Sequence, residues 1–142
     1  MALIQRESLE QLRNEGINTV PRLFRHRANK WHDNVVMRDK VLGLWQEITW
    51  GEYGNKARYV AMALLDMGLK PGDRVAVISE NCPEWLYCDQ GAMAAGGVTV
   101  GIYTTDSAKQ VEYVINNCEA RFYVAENEEQ LDKILEVRDR TP

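Results

Sequence analysis

Between Lys70 and Tyr103 the sequence KPGDRVAVISENCPEWLYCDQGAMAAGGVTVGIY passes from one β-type segment into a helical one and out into another. That order restricts the chain to an α/β fold. Residues 75–78 form a continuous apolar run bounded by Gly72-Asp73 and by Ser79-Glu80-Asn81. A strand buried on both faces has this pattern, and a piece of buried helix shares it. Pro83 suits a first helical turn, Asn81 or Cys82 stands at its cap, and Gly96-Gly97 closes the segment. Residues 98–103 supply a second β-branched run. Two such strands with a helix between them are expected to be parallel and joined by a right-handed crossover.

Upstream, Leu3, Ile4, Leu9 and Leu12 give a weak amphipathic pattern closed by Gly16, which predicts a short first helix. Asn18 or Thr19 offers the next N-cap, with Pro21 just inside and Val20, Leu23, Phe24 and Ala28 leading toward Trp31. Residues 34–38 and 44–49 are strand-like and separated by a few residues including Gly43, which predicts an antiparallel hairpin beside the main sheet. Thr49-Trp50-Gly51-Glu52 matches a capping box and opens a helix. Its apolar stripe is Tyr53, Ala57, Val60, Ala61, Leu64 and Leu65, and Gly68 and Pro71 terminate it. Past Tyr103, Ser107 and Gln110 repeat the capping pattern ahead of Val111, Val114, Ile115 and Cys118. Residues 121–125 read as a third strand, and residues 128–138 as a last helix with Leu131, Ile134, Leu135 and Arg138 along one side. The alternation predicts a parallel sheet covered by helices on both faces, preceded by N-terminal helices and a β-hairpin.

A length of 142 residues suits one domain, here divided into a helical segment at 1–33, a hairpin at 34–49 and α/β units at 50–142. The net charge of -4 opposes nucleic-acid binding, which draws on a basic face. Arg22, Arg25, His26, Arg27 and Lys30 recur at helical spacing and read as a solvated face rather than a phosphate groove. Cys82, Cys88 and Cys118 are an odd set without a C-x-x-C pair, which suits a reducing cytoplasm better than a disulfide framework or a zinc site. No apolar run reaches the roughly 20 residues of a membrane span, and peripheral membrane contact stays open.

Among residues that could carry chemistry, Gly96-Gly97-Val98-Thr99-Val100-Gly101 ends a helix and starts a strand, the reverse of a phosphate-binding turn. Gly91 and Gly96, with alanines between, are expected to let a helix lie close to the sheet. His26 and His32 have no acid at ligand spacing, so neither a metal nor a catalytic base is assigned. Cys82 follows a core strand at a helix N-terminus, a setting that activates some thiols, yet no histidine is near it in sequence. In open α/β sheets ligands sit beyond the carboxyl ends of the strands. Residues 79–82 and 103–107 qualify, and Asn81, Cys82, Tyr103, Thr104 and Thr105 are the expected substrate-facing residues. Helix capping alone accounts for the same polar side chains.

Four segments carry a resemblance: Ile48-Thr49-Trp50-Gly51-Glu52-Tyr53; Gly68-Leu69-Lys70-Pro71-Gly72-Asp73-Arg74-Val75-Ala76; Asn81-Cys82-Pro83-Glu84-Trp85; and Gly91-Ala92-Met93-Ala94-Ala95-Gly96-Gly97-Val98 with Ile102-Tyr103. From about Thr19 onward their order and spacing resemble the N-terminal part of the acyl-adenylate-forming (AMP-binding) synthetases, most of all the long-chain fatty-acyl-CoA synthetases. The resemblance implies a ligase that uses ATP and Mg2+ to convert a fatty acid into acyl-AMP and then passes the acyl group to coenzyme A. It also implies that the phosphate loop, the magnesium-holding acid, the ribose-binding aspartate and the lysine of the mobile C-terminal domain lie downstream. The chain is therefore expected to be an incomplete domain, about the first quarter of such an enzyme. Alone it should be inactive, hold no cofactor tightly, and carry no catalytic residue of its own. A free-standing α/β binding or self-association module is the alternative. In either case an open sheet edge favours homo-oligomers.

Overall fold

The computed structural model describes residues 7–142. Leu3 and Ile4 of the expected first helix lie outside the described residues. Helix α1, Leu9–Asn14, starts at a Ser8–Gln11 capping box, and Gly16 follows it with φ +75. Thr19 caps α2, Val20–Lys30, and accepts from the backbone N–H of Arg22. Strands β1, Val35–Val41, and β2, Leu44–Thr49, form a separate antiparallel hairpin. It closes through Leu42 and Gly43, both at positive φ, the two-residue turn whose twist matches paired strands. Helix α3, Trp50–Asp66, begins at the predicted capping box: Thr49 Oγ1 accepts from Glu52 N–H at 3.2 Å, and Glu52 Oε2 accepts from Thr49 N–H at 2.8 Å. Backbone bonds from Trp50 to Asn34 and from Gly51 to His32 tie the helix start to the end of the α2 segment.

The main sheet has three parallel strands, β3 (Arg74–Ile78), β4 (Val98–Ile102) and β5 (Ala120–Ala125), in the order β4-β3-β5. Helices α4 (Pro83–Ala94), α5 (Ala108–Cys118) and α6 (Glu128–Val137) follow the three strands in turn, and a short 3-10 turn, Arg138–Arg140, ends the chain's regular structure. The central strand β3 decides the packing. Val75 and Val77 point into one layer with Ala61, Leu64, Leu69, Ala92 and Ala95 from the α3–α4 side, while Ala76 and Ile78 meet Ile102, Val111 and Ile115 from the α5 side. Both faces are closed to solvent, which is why the run at 75–78 is apolar without alternation. A bulge opposite Arg74-Val75 shifts β5, so Ala120 packs in the α5 layer and Phe122 in the α3–α4 layer although they are two residues apart.

Several expectations change in detail. Leu65, Leu131 and Leu135 are more than two-fifths exposed, so the stripes on α3 and α6 are narrower than their sequences suggest. The inner face of α6 is instead set by Val137 and Gln130, with Ile134 beside them. Gly91 allows a close helix–helix contact rather than a helix–sheet one: a Cβ there would sit 2.7 Å from Val60 of α3. Gly96, at φ +90, ends α4 and packs on Pro71.

Candidate functional site

The two crossovers fix where the sheet can hold a ligand. The β3–α4–β4 connection moves outward on one face, and β4–α5–β5 returns across β3 on the other. The direction reverses between β3 and β5, so the crevice opens at their carboxyl ends. Three loops meet there: 79–82 after β3, 103–107 after β4, and 126–127 after β5.

Hydrogen bonds lace these loops together. Glu80 N–H donates to Glu126 Oε2 at 2.7 Å, and Thr104 Oγ1 donates to Glu80 Oε1 at 2.5 Å. Lys133 Nζ, from the second turn of α6, donates to the Thr104 carbonyl at 2.6 Å and stands 3.9 Å from Glu129. The result is a cleft of about 520 Å³ lined by Glu80, Thr104, Thr105, Asp106, Glu126 and Lys133, with Gln130 buried in its wall. Gln130 Oε1 has no hydrogen-bond partner.

The expected site residues separate into three groups. Thr104 and Thr105 line this cleft. Asn81 and Cys82 instead line a smaller one of about 240 Å³ between α4 and the hairpin, opposite Met37, Arg38 and Asp39. Tyr103 lines neither and projects into solvent. Cys82 is the N-cap of α4 but makes no side-chain cap bond, and its sulfur lies 3.3 Å from Ser79 Oγ. Glu126, Gln130 and Lys133 were not expected here. Strand order alone brings the β5–α6 turn to the crevice, and no motif in the sequence announces it.

The chemistry of the cleft is that of an acidic acceptor surface. Glu80, Asp106, Glu126 and Glu129 face a single lysine. The helix N-termini that could cradle a phosphate are filled from within: Ser107 accepts from Gln110 N–H on α5, and Asn127 accepts from Gln130 N–H at 3.1 Å on α6. Two acidic residues, Glu128 and Glu129, occupy the first turn of α6 and oppose an anion further. These residues do not fit a nucleotide triphosphate, and among the described residues no cluster of His, Cys, Asp and Glu is placed to hold a metal ion. Hydroxyl and amine donors are what the surface can accept. Burial pushes the Tyr53 and Tyr123 phenols up to about 12, with the Asp89 charge adding to the effect at Tyr53. Both hydroxyls are committed to structure, donating to the carbonyls of Leu86 and Gln130.

With this geometry in place, comparison with known proteins decides the family. The family model described as AMP-binding enzyme matches residues 24–142. The chain belongs to the AMP-binding enzymes. Similar proteins within that grouping include the long-chain-fatty-acid–CoA ligase ACSBG2 of Xenopus laevis, 38% identical over 97% of this chain and 20% of its own length. The long-chain-fatty-acid–CoA ligase ACSBG1 of Homo sapiens is 34% identical over 87% of this chain and 17% of its own length. The Drosophila melanogaster ligase heimdall is 30% identical, over 87% and 19%. The chain thus spans about a fifth of the length of the curated relatives it matches. Among solved structures, the anthranilate CoA ligase AuaEII superposes with a TM-score of 0.78 at 22% identity, covering 88% of this chain and 23% of AuaEII. A long-chain-fatty-acid CoA ligase from Rhodopseudomonas palustris gives 0.76 at 23%, covering 88% and 30%. Likeness at that identity establishes the fold: helices, hairpin and parallel sheet as found at the N-terminal side of adenylate-forming enzymes.

Proposed function

We propose that the chain is the N-terminal part of an ATP-dependent long-chain fatty-acid–CoA ligase. The 38% identity to such a ligase across 97% of this chain carries the reading. In the whole protein a fatty carboxylate would be adenylated with ATP and Mg2+, and coenzyme A would then take the acyl group. Residues 1–142 form one incomplete domain in this reading. They contribute the sheet and its carboxyl-edge wall, while the phosphate-binding parts come from further along. Thr104 and Thr105 border the substrate space on one side and Asn81 and Cys82 on the other, with Tyr103 free to meet a later segment. The three unpaired cysteines favour a reducing cytoplasm. No described helix is long and apolar enough to cross a membrane.

Expression from the complete reading frame tests the proposal. The longer protein is expected to form acyl-CoA from a long-chain fatty acid, ATP and coenzyme A. Fatty-acid-dependent ATP–pyrophosphate exchange by residues 1–142 alone should equal the blank. A native stop codon directly after Pro142 would overturn the reading.

The open edges of β4 and β5 and the exposed Leu42, Leu44 and Trp45 of the hairpin favour self-association as a second property of the isolated chain.

A further inference from the structure

The cleft at the carboxyl edge holds more negative charge than the fold neutralises. Glu80, Asp106, Glu126 and Glu129 line it, and Lys133 is the one basic residue among them. Lys133 Nζ donates to the Thr104 carbonyl at 2.6 Å and has Glu129 at 3.9 Å as its ion-pair partner. Among the described residues, no basic group stands within ion-pair distance of Glu80, Asp106 or Glu126. Glu80 accepts from the Thr104 hydroxyl and Glu126 from the Glu80 N–H. These neutral donors hold the two carboxylates on neighbouring loops without cancelling their charge.

A second observation lies in the wall. Gln130 lines the cleft and is 3% exposed, yet its Oε1 accepts no hydrogen bond. Its Nε2 donates to Glu129 at 3.4 Å, which fixes the amide with the nitrogen toward that carboxylate. Buried acceptors are normally satisfied, so this oxygen marks a place for a donor that the chain itself does not supply. The spacing of the acids decides which cation fits. Among the described residues no three of His, Cys, Asp and Glu converge as metal ligands do, so a divalent ion is poorly served. Separated carboxylates around a cleft of about 520 Å³, within the range of small-molecule sites, suit an extended cation charged at both ends. We propose that this cleft binds an aliphatic diamine, its ammonium groups shared among Glu80, Asp106 and Glu126 and one of them donating to Gln130 Oε1. The inference rests on the charge of the cleft and not on the ligase reading. Diamine binding and acyl-CoA formation are separate measurements, and either can fail without the other.

The test uses the 142-residue chain and putrescine at low ionic strength, followed by calorimetry and by NMR of the side-chain amides. Saturable binding is expected, weakened about tenfold or more in the double variant E80Q/E126Q. Butylamine, with one charge, should bind at least about tenfold more weakly than the diamine. Butanediol, with none, should not saturate, and magnesium ion at equal concentration should not displace putrescine. The control E10Q/D66N removes two exposed charges outside the cleft and should hold the affinity within about threefold, which separates a site from general attraction to an acidic chain. The Gln130 amide resonances should move as putrescine saturates. Glutamine keeps an acceptor oxygen at positions 80 and 126, so E80Q/E126Q is expected to fold, and far-ultraviolet circular dichroism checks this. Failure of putrescine to saturate, equal affinity in E80Q/E126Q, equal binding of butylamine, saturation by butanediol, displacement by magnesium, an equal loss in E10Q/D66N, or an unmoved Gln130 amide would each overturn the proposal.

Discussion

Leu42 is at odds with its backbone. It sits at φ +50, 98% exposed, ahead of Gly43 at φ +85. A left-handed conformation costs a leucine about 1–2 kcal/mol, and this one recovers nothing through burial. Asparagine tolerates the same geometry, so Leu42→Asn is expected to stabilise the chain by about 1 kcal/mol and Leu42→Ala by much less. Thermal melting distinguishes them, and equal midpoints for the two variants would refute the strain argument. Tyrosine burial gives a second prediction. The folded state raises Tyr53 and Tyr123 from 10.0 to about 12, so both favour folding fully below pH 10. Their contribution fades as the pH rises through the interval from 10 to about 12, because the unfolded chain ionises first. Phenolate absorbance should therefore show two late ionisations, those of Tyr53 and Tyr123, that coincide with unfolding. Ionisation of Tyr53 and Tyr123 near pH 10 in the still-folded chain would contradict the burial.

At the level of elements, local chemistry was the most legible part of the sequence. The Thr49 and Ser107 capping boxes, Pro21 in a first turn and Gly68 after a helix all act through neighbours within a few residues, and the structure has each of them. Contacts between elements were less legible, and Gly91 illustrates why. Its glycine is required by Val60 and the Ala57 carbonyl of α3, residues about thirty positions away that no local pattern connects to it. A methyl group at Gly91 would lie 2.7 Å from Val60 and 2.8 Å from that carbonyl. Alanine is the better helix former by about 1 kcal/mol, but a backbone oxygen cannot rotate aside as a side chain can, and overpacking costs about 1–3 kcal/mol. Gly91→Ala should therefore lower the urea midpoint, with Val60→Ala in the same chain recovering part of the loss. A higher midpoint for the single variant would mean that the α3–α4 contact is looser than the structure has it.

Across the whole molecule, strand order supplied what the sequence withheld. The pattern of alternating strands and helices was enough for an α/β sheet and for two of the three carboxyl-edge loops. Only the order β4-β3-β5 brings Glu126 and Lys133 to Thr104 and turns Asn81 and Cys82 toward the hairpin. The same order predicts how stability is distributed. Strand β3 pairs on both sides and is closed to solvent on both faces, so its amides can exchange only when both apolar layers open. Strands β1 and β2 pair only with each other, and much of their surface faces water. Two-stranded units of this kind are marginal by themselves. Native-state hydrogen exchange should give the greatest protection at residues 75–78, intermediate values in β4 and β5, and the least in the β1–β2 hairpin. If the hairpin were protected as strongly as β3, it would belong to the same cooperative unit as the parallel sheet, and the division at Thr49 between hairpin and α/β core would not hold.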